Sequence, residues 1–266
     1  MRHLLSIEFA KLKKLNSLKI IFLVYIVLAP LVVYGFYSIF RIILDPMTPG
    51  GWNPLAFPDI WRIATYSSSW FNVLMSIVVI IIVSNEYSFR TLKQNVIDGL
   101  SVRQVVVSKF MIVFILSTLV TIYTFVVSIV YGFLNSKTPE ALEGMEYIGI
   151  YYLQTLGYFS FAFFFAVLIR KTALAIIFFI VAFIVDFIIG IMLSLAKLEM
   201  IYAFFPLNAF SKLTPFPVFE ELIKASKEKD GKMPFMLDEG TNIALCIVYM
   251  IVFFLITYWV MRRRDL

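Results

Sequence analysis

The amino-acid sequence predicts an all-α membrane protein with six transmembrane helices. Of its 266 residues, 61% are hydrophobic and 15% are charged, whereas soluble domains have about 45–50% apolar and about 25% charged residues. Six apolar runs are each long enough to cross about 30 Å of hydrocarbon as a helix. The predicted spans cover residues 18–44, 64–84, 104–134, 148–169, 173–195 and 242–261. We expect residues 1–266 to form one transmembrane domain.

An amphipathic segment precedes the first span. Leu5, Phe9 and Leu12 fall on one side of a helix, and Lys13 and Lys14 lie off that side. This pattern predicts an interfacial helix that is held to the membrane by anionic lipid. Ordinary basic flanking residues would explain the charges but not the spacing of the apolar residues. The apolar run that follows is longer than a signal-peptide core, so we expect it to be retained as a span.

The distribution of charge predicts the orientation of the spans. With six spans, both termini and the second and fourth connections lie on one side of the membrane. These segments hold 14 of the 23 lysines and arginines but only four acids, whereas the other three connections hold nine basic and 12 acidic residues. Because connections rich in lysine and arginine stay in the cytoplasm, we expect both termini to be cytoplasmic.

The connection between the second and third spans, residues 84–109, is polar and regularly patterned. Its first half carries apolar residues at helical spacing, with charged residues off that stripe. The stripe consists of Phe89, Leu92, Val96 and Leu100, and the charged residues are Arg90, Lys93 and Asp98. An unstructured connection would need no such pattern. We therefore predict a short amphipathic helix on the cytoplasmic side.

A turn and a helix start follow this amphipathic helix. Gly99 suits the left-handed conformation that often ends a helix. Ser101 is predicted to cap the third span, and Gln104, three residues later, to complete a capping box. We therefore expect the amphipathic helix to be held rigidly at the start of the third span.

The same connection resembles that of the permease subunits of ABC-2 type ATP-binding-cassette transporters. The family pattern is an acid with an aromatic residue, a threonine with an aliphatic and a basic residue, a turn, Ser-x-Arg or Ser-Arg, and a lysine. The matching residues are Glu86, Tyr87, Thr91, Leu92, Lys93, Gly99, Leu100, Ser101, Arg103 and Lys109. The chain departs from the pattern at Arg90, where the family often has glycine, and at Gly99, where it often has proline. Residues 7–14 also resemble the start of the family.

The resemblance implies transport that depends on partner proteins. The connection would be a coupling helix that docks on a separate cytoplasmic ABC ATPase subunit, which would bind ATP and magnesium. Phe89, Leu92 and Val96 would make apolar contacts, and Arg90 and Lys93 would add charged ones. A second permease chain, identical or related, would complete the pathway. The implied location is the inner or plasma membrane, and the implied direction is export of an unidentified substrate.

Four polar residues inside the spans are candidates for the transport pathway. Ser69, Asn72 and Ser76 follow helical spacing in the second span, and the resemblance implies that the second and fifth spans face a central cavity. Asp186 is an acid inside the fifth span, where an ionisable group is costly and is often functional. It could equally be a structural acid that is hydrogen-bonded to hydroxyl groups of a neighbouring helix.

The sequence argues against catalysis and against metal or cofactor binding in this chain. It has no G-x-x-x-x-G-K-[ST] motif for binding phosphate. His3 is the only histidine and Cys246 the only cysteine, and we expect no lysine deep in a span. The basic residues flank the spans and form no patch with interleaved aromatic residues, so nucleic-acid binding is not expected.

Two other classes of membrane protein stay open at this point. A secondary transporter or channel, with Asp186 as its ion or proton site, would work without an ATPase. A membrane scaffold of a larger complex would tolerate loss of both Asp186 and nucleotide. The patterned connection favours the ABC-2 interpretation, because a transporter without an ATPase does not need it.

Overall fold

The structure, a computed structural model, describes residues 16–44, 53–88, 101–136, 141–217, 235 and 237–263. These residues form nine α-helices and contain no β-strand, which confirms the predicted all-α class for this part of the chain. The helices are α1 (Asn16–Leu44), α2 (Ile60–Ser69), α3 (Asn72–Ser88), α4 (Val102–Asn135), α5 (Glu146–Ile169), α6 (Thr172–Leu195), α7 (Glu199–Ala203), α8 (Pro206–Ser211) and α9 (Glu239–Arg263).

Five of these helices, α1, α4, α5, α6 and α9, are long and apolar enough to cross a membrane. The pair α2 and α3 provides a sixth candidate if it counts as one span. This is the architecture of a multi-pass membrane protein. The five unbroken helices begin and end within three residues of the predicted bounds, because long apolar runs and their polar flanks are local properties of the sequence.

The prediction of one continuous helix over residues 64–84 is wrong. The chain bends by 48° between α2 and α3. In a continuous helix the Ser68 carbonyl would accept from the N–H of Asn72. It instead accepts from the Phe71 N–H at 3.0 Å and from the hydroxyl of Tyr151 on α5 at 3.4 Å. A side chain that inserts into the helical hydrogen bonds is a known cause of such kinks.

Helix α5 is the central helix of the bundle. It packs against α3, α4, α6 and α9. Of the residues in its most apolar stretch, 67% are buried, compared with 6% for α6. Its sequence is apolar on all sides, as expected for a helix that is surrounded by others. The outward sides of α1 and α6 leave their large apolar side chains exposed, which suits a surface that faces lipid.

The short helices α7 and α8 fold back onto the bundle. Leu207 and Phe210 of α8 are buried, and the Phe210 ring makes an edge contact with Tyr158 of α5 at a centroid distance of 5.5 Å. Because aromatic contacts of this kind add to the gain from burial, residues 206–214 are fixed against α5 and α9. This places the Phe210 carbonyl and the Thr214 hydroxyl within hydrogen-bonding distance of Gln154, which contacts Asn72 at the start of α3.

The two ends of the bundle differ in charge. The basic end is defined here as the end at which α3 ends and α4 begins, and at which α9 also ends. Its described residues include Lys19, Arg103, Lys109, Arg170, Lys171, Arg262 and Arg263, with Glu86 as the one acid among them. The opposite end, called the loop end, holds six described acids and four described basic residues.

Candidate functional site

A buried ion pair joins α3 to α4 at the basic end. The Lys109 ammonium contacts the Glu86 carboxylate, and only 2% and 7% of the two side-chain surfaces are exposed. Lys109 lies seven residues inside α4, about 10 Å from its start. Because α4 has 34 residues, well above the about 20 that cross the hydrocarbon, this position does not test the expectation that no lysine lies deep in a span. Because loss of either partner would leave an uncompensated buried charge, the pair ties the end of α3 to this position in α4.

A second contact extends this cluster to α5. The guanidinium carbon of Arg170 lies 5.3 Å from the centroid of the Tyr87 ring, a distance that allows a cation–π interaction. Arg170 ends α5 with a left-handed backbone, φ 61°. Its Nε and Nη2 atoms are buried and have no hydrogen-bond partner among the described residues.

The start of α4 has the predicted cap. The Ser101 hydroxyl accepts from the Gln104 N–H at 3.3 Å, and the Gln104 side chain accepts from the Ser101 N–H at 2.9 Å. This reciprocal pair is the capping box that the spacing predicts. Arg103 is exposed beside it. The cap fixes the point from which the chain enters α4.

Most of the residues predicted to contact an ATPase lie outside the described part of the chain. Glu86, Tyr87, Ser101 and Arg103 are described, and they flank this segment on both sides. The residues outside are Phe89, Arg90, Thr91, Leu92, Lys93, Val96 and Gly99. The predicted interfacial helix, with Leu5, Phe9, Leu12, Lys13 and Lys14, also lies outside the described residues.

Asn72 is the centre of a buried polar network at the break in the second candidate span. Its side chain is completely buried. Its Oδ1 atom accepts from the hydroxyl groups of Thr155 at 3.2 Å and Tyr151 at 3.4 Å. Its Nδ2 atom donates to Oε1 of Gln154 at 3.3 Å. The start of α3 is therefore fixed to α5 by three polar contacts.

Gln154 carries this network to the segment after α8. Its Nε2 atom donates to the Phe210 carbonyl at 2.9 Å and to the Thr214 hydroxyl at 2.8 Å. Its side-chain amide therefore contacts α3 through one end and residues 210–214 through the other. Buried networks of this kind are rigid when their groups are satisfied. A movement of α3 relative to α5 would disturb all of these hydrogen bonds together.

The other two candidates in this region behave differently from Asn72. Ser69 ends α2 and donates to the Tyr66 carbonyl at 2.7 Å. Ser76 is completely buried one turn after Asn72 and has no hydrogen-bond partner among the described residues. The prediction that Ser69, Asn72 and Ser76 share one helix face is wrong, because the break separates Ser69 from the other two.

Asp186 belongs to a separate hydrogen-bonded pair. Its Oδ2 atom accepts from the hydroxyl of Tyr202 on α7 at 3.0 Å. Gly190, one turn later on α6, leaves room for this tyrosine, because a Cβ atom there would lie 2.7 Å from the Tyr202 ring. Asp186 and Asn72 share no hydrogen-bond partner among the described residues. This geometry matches the structural alternative for Asp186, a carboxylate that is bound by a neighbouring hydroxyl.

A cavity of about 210 Å³ lies at the loop end, between the start of α5 and the start of α9. Its lining includes Arg62, Tyr147, Asn208, Lys212 and Glu239. The guanidinium carbon of Arg62 lies 5.4 Å from the centroid of the Tyr147 ring. Solvent still reaches Lys212, and its partial burial lowers its pKa. The cavity can hold a small polar molecule, and sequence patterns gave no sign of it.

Two residues of these clusters were not predicted from the sequence. Gln154 is an amide within an apolar run, and polar side chains inside spans commonly bond between helices, so the sequence did carry a signal for it. Arg170 stands in a two-residue connection between spans and looks like an ordinary topology signal. Only its contact with Tyr87 distinguishes it.

One comparison with known proteins gives a match. Residues 55–266 match a family of proteins of unknown function, DUF2705. The match covers most of the chain, including α2 to α9 and the segment between α3 and α4. A search of curated proteins gives no match.

Proposed function

We propose that this chain, which belongs to the DUF2705 family, is the permease subunit of an ATP-binding-cassette transporter. It moves an unidentified substrate across the membrane, in the export direction, and uses ATP that a separate cytoplasmic ATPase subunit hydrolyses. Two permease chains form the pathway. The chain itself is not an enzyme, and ATP and magnesium bind to the partner.

The ion pair between Glu86 and Lys109 is the observation that supports this function best. It joins the two helices on either side of residues 89–100, the segment that resembles a coupling helix. A segment that receives force from an ATPase must be attached to the bundle through contacts that do not deform. Loss of one partner of a buried ion pair strongly destabilises a protein, so in this proposal α3 and α4 stay joined when the segment is displaced.

Arg170 gives this movement a route to the centre of the bundle. Its guanidinium group rests on the Tyr87 ring, one residue from Glu86. It also ends α5, which packs against α3, α4, α6 and α9. A shift of the end of α3 therefore reaches α5 directly, and α5 carries the residues that bind Asn72.

The proposed topology has six spans with both termini in the cytoplasm. In this arrangement α2 and α3 together make the second span, and the basic end faces the cytoplasm, as the excess of lysine and arginine favours. Residues 89–100 then form a cytoplasmic coupling helix. The N-terminal amphipathic segment lies on the same side, in the interface of the inner or plasma membrane.

The proposed pathway passes the break between α2 and α3. Broken helices in transporters often form binding sites, because they expose polar backbone groups inside the membrane. Asn72 and Ser76 place polar side chains at this break. The network through Gln154 holds the break in the arrangement seen here. ATP-driven movement of α3 would open it towards the second permease chain.

Affinity purification from the native membrane tests the proposal. The full chain is purified in mild detergent, and the proteins that accompany it are identified by mass spectrometry. We expect an ATPase subunit with a phosphate-binding motif to accompany the wild-type chain and to be lost from Leu92→Asp. Leu142→Asp is the control, because Leu142 is 83% exposed at the loop end. Purification without any ATPase would overturn the proposal.

A further inference from the structure

An apolar groove runs along the outside of the bundle between α4 and α9. Its volume is about 270 Å³, and its floor is Leu156 of the central helix α5. Phe110 and Phe114 of α4 form one wall. The other wall consists of Ile247, Met250, Ile251 and Phe254 of α9. The groove is open to the outside, since 44% of Phe114 and 54% of Ile251 are exposed.

The groove has a defined end near the basic end of the bundle. The rings of Phe110 and Phe254 contact each other there, with centroids 4.9 Å apart and an interplanar angle of 68°. Towards the loop end, the α9 wall extends over residues 247–254, a rise of about 10 Å. Its four wall residues follow i, i+3, i+4, i+7 spacing, so they lie on one face of α9. Part of an extended hydrocarbon chain fits along such a channel.

Beyond this end of the groove, each of the two wall helices, α4 and α9, carries an arginine on the face that lines the groove. Arg103 lies seven residues before Phe110 and Arg262 lies eleven residues after Ile251, and both spacings return to the same helix face. Arg103 is about 10 Å from Phe110 along α4, and Arg262 is about 12 Å from Phe254 along α9. Both side chains are exposed, and neither forms an ion pair with any described residue.

The end of α9 has the features of the boundary between hydrocarbon and lipid headgroups. Trp259 is 52% exposed one turn before Arg262 and Arg263, and the guanidinium carbon of Arg263 lies 4.2 Å from its ring centroid. Exposed tryptophans with basic neighbours are typical of the boundary between hydrocarbon and headgroups. By this criterion the end of α9, with Arg262, lies at the level of the headgroups, and the groove lies towards the hydrocarbon.

We propose that this groove is a binding site for an anionic phospholipid, with one acyl chain between α4 and α9 and the phosphate bound by Arg103 and Arg262. Each arginine supplies paired N–H donors that suit a phosphate. The two arginines favour an anionic lipid over a second copy of this chain. A second copy would place its own arginines beside them, and the like charges would repel. The site does not depend on an ATPase partner.

Native mass spectrometry of the purified full-length chain tests this site. The protein is titrated with phosphatidylglycerol or with phosphatidylcholine that has the same acyl chains. We expect at least tenfold tighter binding of phosphatidylglycerol. Each of Arg103→Gln and Arg262→Gln should weaken that binding about fivefold, since one basic residue near an anionic surface contributes about that factor. Binding of phosphatidylcholine should not change.

Two further variants separate this site from general basicity and from dimerisation. Lys171→Gln removes an exposed charge from the same end but not from the groove, and it should leave the lipid preference unchanged. Ile251→Trp fills the groove and should weaken binding of both lipids. Equal binding of the two lipids, or a preference that survives loss of both arginines, would overturn the proposal. So would efficient disulfide formation between copies of Phe114→Cys in a Cys246→Ser background.

Discussion

Glu86 and Lys109 are 23 positions apart in the sequence, yet their charged groups meet inside the protein at the place where two helices leave the bundle. A buried ion pair is weak evidence for net stability, but loss of one partner leaves an uncompensated buried charge and is strongly destabilising. Here it joins the end of α3 to α4, the two helices that flank residues 89–100. This is the arrangement needed if that segment receives force from outside the membrane.

Loss of one partner of this pair should be much more harmful than loss of both. We expect Lys109→Met or Glu86→Gln alone to lower the free energy of unfolding by about 3–5 kcal/mol, because each leaves an altered, uncompensated buried group. The double variant should recover part of this loss. Titration with sodium dodecyl sulfate in mixed micelles measures these values. Arg103→Met, an exposed change on the same helix, should stay within about 0.5 kcal/mol, and strict additivity of the two single changes would contradict the coupling.

Two glycines in long helices should respond in opposite ways to replacement by alanine. A Cβ atom at Gly132 of α4 would lie 2.3 Å from the Phe57 ring, whereas one at Gly35 of α1 would meet nothing within 4 Å. Gly132→Ala should therefore destabilise the protein by about 1–3 kcal/mol. Gly35→Ala should stabilise it by up to about 1 kcal/mol, because alanine favours helices. The same micelle titration compares them, and a Gly132→Ala variant as stable as the wild type would contradict the packing around Gly132.

Asp186 and Tyr202 should act as one structural unit. Asp186→Asn and Tyr202→Phe should each lower the free energy of unfolding by about 1 kcal/mol, less than for a fully buried charged hydrogen bond because both residues are partly exposed. The double variant should lose no more than the larger single change. Transport by Asp186→Asn should then stay close to the wild-type rate. Complete loss of transport in Asp186→Asn, with Tyr202→Phe unaffected, would instead assign Asp186 to an ion or proton site.

Lys212 in the loop-end cavity should lose its proton at a lower pH than an ordinary lysine. Its partial burial disfavours the charged form and so lowers its pKa. Because only the neutral amine reacts with acylating reagents, the pH profile of Lys212 acetylation should have its midpoint below that of a free lysine side chain. Peptide mass spectrometry after brief labelling measures this profile. A midpoint at or above the free value would show that the cavity does not desolvate this ammonium group.

The sequence predicted five of the spans closely because their signals are local. Long apolar runs set their length, and the pair Ser101 and Gln104 marked the start of α4. The break between α2 and α3 had no such signal, since residues 60–88 contain neither proline nor glycine. At the break the Ser68 carbonyl accepts from the Tyr151 hydroxyl of α5, a tertiary contact that the local sequence does not show.

Tertiary contacts also decided the roles of the polar residues. Asn72 was identified as a candidate from its helical spacing with Ser69 and Ser76, but its partners Tyr151, Gln154 and Thr155 belong to another helix. Lys109 was identified as part of a motif, but its burial and its pairing with Glu86 depend on tertiary packing. Helical spacing shows which residues share a face. It does not show which face of another helix they meet.

ATP hydrolysis by material purified through this chain tests the proposed function most directly. The full chain is purified from its native membrane, reconstituted in lipid vesicles, and assayed for release of phosphate from ATP. We expect hydrolysis with the wild-type chain and with Leu142→Asp, and a loss of at least tenfold with Leu92→Asp at equal amounts of permease. Equal hydrolysis with Leu92→Asp, or none with any of the three, would contradict a permease that is driven through residues 89–100.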